Sequence, residues 1–62
     1  MLTITEKAKE IWKSMDTNER TAVRIGMFPH GKMMAAEQEG YNGKDLAVAL
    51  MDCATKDGGM IS

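Results

Sequence analysis

The sequence predicts an all-α fold, a small bundle of three to four short helices in a single domain spanning residues 1–62. Three observations carry this. Apolar residues recur at helical spacing near the N-terminus. Capping residues precede, and glycines follow, most of the apolar segments. The chain also shows no second strand with which a lone strand could pair. Sixty-two residues bury only about 60% of the surface their unfolded chain exposes, so stability is marginal and a partner surface is a natural reinforcement.

Thr3-Ile4-Thr5-Glu6 fits a capping box, and Ile4, Ala8, Ile11, Trp12 and Met15 trace one face of a helix over residues 4–15. Lys7, Lys9, Glu10 and Lys13 fall on the other side. Trp12, the largest residue of the stripe, is expected in the core. Losing a buried aromatic of that size costs about 3–5 kcal/mol.

Asp16 or Thr17 caps a second helix, with Glu19 in its first turn. Residues 21–28 fit two patterns. Val23, Ile25 and Met27 alternate with Arg24 and Gly26, which is a strand signature, while the preceding cap favours helix. Helix is the preferred assignment. The alternative is an α+β fold whose one short strand, at about 21–28, pairs across a dimer.

Phe28-Pro29 breaks the chain, and Pro29 suits the first turn of a helix over residues 29–39 that Gly40 ends. Met33 and Met34 are adjacent on it, so at least one faces outward. Asn42 caps a last helix over residues 43–56, and Asp57-Gly58-Gly59 stops it, leaving Met60-Ile61-Ser62 as a tail that folds back. Between Leu46 and Ala54 the only polar residue is Asp52. A helix apolar around so much of its girth is either the centre of the bundle or one side of an interface.

Chemistry is sparse. One cysteine, Cys53, permits no internal disulfide and suits a reducing, cytoplasmic compartment. One histidine, His30, lies far from it, so a zinc site lacks ligands and no metal or other cofactor is expected. Cys53, His30 and Asp52 are the sole candidates for a nucleophile, base and orienting group. Asp52 and Cys53 are helix neighbours that point apart, and Cys53 falls on the apolar Leu46–Leu50 stripe. Glu37 and Glu39, two residues apart on a helix, do not face one another as an acid pair. No enzyme is expected. Nor is there a basic segment ahead of an apolar core, as in a signal peptide, or an apolar run longer than the six residues Leu46–Met51, against the roughly 20 of a membrane span.

Net charge is −1. Residues 1–31 carry five basic and four acidic side chains, and residues 32–62 carry three and five. That balance weighs against nucleic acid as the partner. What remains is a small, non-enzymatic protein–protein interaction module that acts as an inhibitor or regulator. Small proteins of mobile genetic elements, phage or plasmid, have this general build, an analogy of class. Methionine supports it, since its flexible thioether suits adaptable contact surfaces. Met33, Met34, Val48 and Met51 are the expected partner-binding residues, toward another protein or a second copy in a homodimer. The alternative is a small dimeric DNA-binding transcriptional regulator. It would use a helix-turn-helix around Phe28-Pro29 or a β-ribbon at 21–28, with Lys7, Lys9, Lys13, Arg20 and Arg24 as its basic face.

Overall fold

A computed structural model describes the backbone of residues 1–61 and the side chains of residues 1–56. Four helices follow one another: α1 (Ile4–Ser14), α2 (Thr17–Arg24), α3 (His30–Gln38) and α4 (Gly43–Ile61). The described residues contain no strand.

The starts of α1 and α2 are dictated locally. Glu6 N donates to Thr3 Oγ1 at 3.1 Å and Thr3 N to Glu6 Oε1 at 2.9 Å, closing the reciprocal capping box. These hydrogen bonds hold the Glu6 carboxyl below its usual range. Asp16 and Glu19 form the same box at α2, with bonds of 2.8 and 3.1 Å. At α4, Asp45 N donates to Asn42 Oδ1 at 3.0 Å.

The ends of α2 and α3 share one device. Gly26, at φ +87°, follows the last residues of α2; its N–H donates to Val23 O, and Met27 N–H donates to Ala22 O. Gly40, at φ +105°, does the same for α3, with Gly40 N–H on Glu37 O and Tyr41 N–H on Ala36 O. Both are Schellman motifs, in which a left-handed residue lets two amides satisfy the last carbonyls. This resolves the ambiguous segment. Residues 21–28 are not a strand, because Asp16 nucleates a helix that Gly26 terminates. Val23 is buried, while Ile25 and Met27, which strand alternation would place beside it, lie exposed beyond the helix end.

The core consists of Ala8, Ile11, Met15, Val23, Met33, Ala36, Leu46, Leu50 and Ala54. Leu46, Leu50 and Ala54 recur every four residues and form one buried line on α4. The packing of α1, α2 and α3 is directed chiefly at this helix, and most extensively by α1. α4 is therefore the centre of the bundle, and three short helices suffice to cover its Leu46 line.

Three expectations are corrected. Trp12 is only half-buried and packs at the edge of the core, because Ala8 and Ile11 occupy the middle of the stripe. Lys7, placed by periodicity on the solvent side, is buried, since its flexible stem lies down toward Tyr41 and its ammonium reaches acids on α1 and at the end of α3. The last helix passes Asp57-Gly58-Gly59 and runs to Ile61; glycine costs a helix about 1 kcal/mol per residue but does not forbid it. The Met60-Ile61 end is thus helical rather than folded back, and Ser62 lies outside the described residues.

Candidate interaction surface

The four methionine and valine positions expected at a partner surface do not share one face. Met33 is turned into the core, in register with Ala36 three residues on. Met51 is half-buried against the core. Met34 and Val48 point outward, at 44% and 68% exposure. Val48 stands alone: the surrounding outer face of α4 carries Lys44, Asp45 and Asp52, all exposed. Asp52 is ion-paired to Lys56 at 3.0 Å.

A different apolar surface emerges at the α2–α3 connection. The Schellman turn at Gly26 carries the chain off the core face just after Val23. Ile25 and Met27, on either side of that glycine, are 73% and 64% exposed. Phe28 and Pro29 then turn partly inward, Phe28 packing against the core. From Ile25 to Pro29 the chain bears no charge. Met34 adds a further exposed methionine on the second turn of α3. The signal for this surface was Gly26: read as the residue after a helix end, it separates Ile25 and Met27 from the helical stripe.

Several basic residues are drawn into contacts within the chain. Lys7 Nζ donates to Glu10 Oε1 at 3.1 Å and to both carboxylate oxygens of Glu39 at 3.0 and 3.2 Å. It also lies 5.6 Å from the centre of the Tyr41 ring. The Glu39 carboxylate first, then Glu10, raises the Lys7 ammonium above its usual pKa. Arg20 donates to the carbonyls of Trp12 and Lys13 at 3.1 and 3.4 Å. Arg20 and Arg24 both stand over the Trp12 ring, at 5.5 and 6.0 Å from its centre. Of the five residues expected to form a basic face, Lys7, Arg20 and Arg24 are thus engaged against acids, carbonyls or an aromatic ring. An open hollow of about 430 Å³ lies beside the Lys7 cluster, lined by Met1, Leu2, Lys7, Glu10, Glu39 and Tyr41. Tyr41 Oη donates across it to the Leu2 carbonyl at 2.9 Å.

Cys53 is half-buried, and burial together with the neighbouring Asp52 pushes its thiol pKa up, away from the reactive thiolate. His30 opens α3 on the surface. Among the described residues, no group of three or more His, Cys, Asp or Glu side chains is arranged to hold a metal ion. No helix among them is long and apolar enough to cross a membrane. Comparison with protein-family models, with curated proteins and with solved structures finds no match to this chain.

Proposed function

We propose that this protein is a small non-enzymatic interaction module, an inhibitor or regulator that works in the cytoplasm by occupying a surface of a protein partner. One observation carries the proposal: the uncharged, outward-facing turn Ile25-Gly26-Met27, followed by exposed Met34 on α3. Large apolar side chains held out by a turn bury readily against a partner without any rearrangement of the core. Methionines among them adapt to the partner's shape.

The experiment compares wild-type protein with Ile25→Lys/Met27→Lys. Both positions are exposed, so the double variant is expected to melt within about 0.5 kcal/mol of wild type. It is expected to lose the protein that co-purifies with wild type from host lysate, since a lysine buried in a contact must be desolvated. Retention of that protein by the double variant rejects this surface. Light scattering of wild type up to millimolar concentration decides whether the partner is a second copy. Micromolar affinity for random duplex DNA, falling steeply with salt, would instead select the DNA-binding regulator.

A further inference from the structure

α3 lacks the side-chain N-cap that starts each of the other helices. α1 and α2 begin with capping boxes and α4 with the Asn42 side chain, but Pro29 precedes α3 and makes no side-chain cap. Its charges also oppose its dipole. Lys32 sits in the first turn, where exposed amides favour anions, while Glu37 and the C-cap Glu39 sit at the carbonyl end. Nine residues is below the roughly 12–15 at which even strong helix formers become marginal in isolation. Of those nine, Met33 and Ala36 are buried.

The charges that disfavour the isolated helix are the ones that fasten it. Lys32 pairs with Glu19 of α2 at 3.5 Å. Glu39 pairs with the buried Lys7 of α1 through both oxygens. Glu37 lies against the start of α4: a β-carbon on Gly43 would stand 2.9 Å from its carboxyl carbon. The whole element is bracketed by Gly26 and Gly40, the positive-φ residues among those described, a conformation that other residue types adopt only with strain.

We propose that α3 is a clip: it opens and recloses as one unit between Gly26 and Gly40, with the Lys7–Glu39 pair as its latch. Undocking removes the contacts that make it helical, so release and melting are one event. The open form withdraws Met33 and Ala36 from the core and uncovers the part of α4 beneath them. This motion is internal to the chain and stands whether or not the Ile25–Met27 turn binds a partner.

Amide hydrogen exchange by NMR tests it. In the wild type, the amides of residues 34–38 are expected to exchange as a group, on the order of tenfold or more faster than those of Ile11 and Leu50. Glu39→Gln is expected to speed the α3 group by roughly five- to tenfold, as for loss of a partly buried charged pair, and to leave α1 and α4 unchanged. Glu39 is 54% exposed at its side chain, so the variant retains the fold. Glu10→Gln removes the partner of Lys7 that lies on its own helix, and is expected to leave α3 exchange unaltered. Raising salt on wild type from about 0.05 to 0.5 M should reproduce a smaller part of the selective effect, since a pair buried on one side is screened less than an exposed one. Equal exchange in α3 and α4 overturns the clip. So does acceleration of all helices together by Glu39→Gln, or an equal effect from Glu10→Gln.

Discussion

Arg20 closes the end of α1 through Trp12: its Nε donates to the Trp12 carbonyl at 3.1 Å while its guanidinium carbon stands 5.5 Å from the centre of the same residue's ring. A single side chain of α2 thus satisfies a terminal carbonyl and covers an aromatic face. Trp12 is a platform between two helices, with one edge on the core and its ring beneath two arginines.

Trp12→Ala is therefore expected to cost about 1–3 kcal/mol, less than the 3–5 typical of a fully buried tryptophan. Arg20→Ala is expected to cost about 1 kcal/mol. Because the two share one contact, the double variant should lose less than the sum of the single losses. Chemical denaturation of all four proteins measures this, and strict additivity would show the stack to be energetically idle.

Leu50→Ala strikes the centre. Leu50 is fully buried on the line that α4 offers to the other helices. Removal of such a leucine costs about 2–5 kcal/mol. A domain of this length has roughly 3–9 kcal/mol in total. Circular dichroism at 37 °C should show a large unfolded fraction, whereas Val48→Ala on the outer face should melt like wild type.

Gly26→Ala isolates backbone strain. Nothing lies within 4 Å of a β-carbon placed there, so the change adds no clash, yet φ is +87°. The expected cost is about 1–2 kcal/mol, and Gly26→Asn should recover part of it, because asparagine tolerates the left-handed region better. Thermal melts of the two variants rank them, and an alanine variant as stable as wild type would show that the turn relaxes.

The Lys7 cluster gives stability a dependence on alkaline pH. Its ammonium pKa is raised in the folded protein, chiefly by Glu39 and then by Glu10. The folded state thus holds this proton more tightly than the unfolded chain does. The pair's contribution is complete below about pH 10.4, the unfolded value, and is lost as pH climbs through the higher folded value. The difference in urea midpoint between wild type and Lys7→Met should be level from neutrality to about pH 9 and shrink above about pH 10.4. A difference that stays level beyond that point would assign the role of Lys7 to its aliphatic stem.

What could be read from the sequence is what is settled within a few residues. Thr3 with Glu6, Asp16 with Glu19, Asn42 with Asp45, and Gly40 after its helix all act over one turn, and each appears in the structure in that role. The failures are non-local. Periodicity assigned Lys7 to solvent because its decisive partner, Glu39, is 32 positions away. Trp12 was assigned to the core because the arginines that take its ring belong to another helix. Gly26 was a local signal misjudged, since alternation of Val23, Ile25 and Met27 masked a helix end. At the surface, adjacency required one of Met33 and Met34 to face outward without saying which, and the structure turns Met34 out, while the Ile25–Met27 turn depended on that same glycine.

The common partner of the first three helices follows them in the chain. During synthesis, residues 4–38 emerge before Leu46, Leu50 and Ala54 exist to receive them, and α1, α2 and α3 pack chiefly on α4, with Arg20 to Trp12, Lys32 to Glu19 and Lys7 to Glu39 among the contacts that join them directly. The nascent chain therefore has caps and short helices but no interior until α4 is made. The bundle is expected to close only once that helix has emerged, and a peptide truncated before it is expected to be cleaved readily by protease.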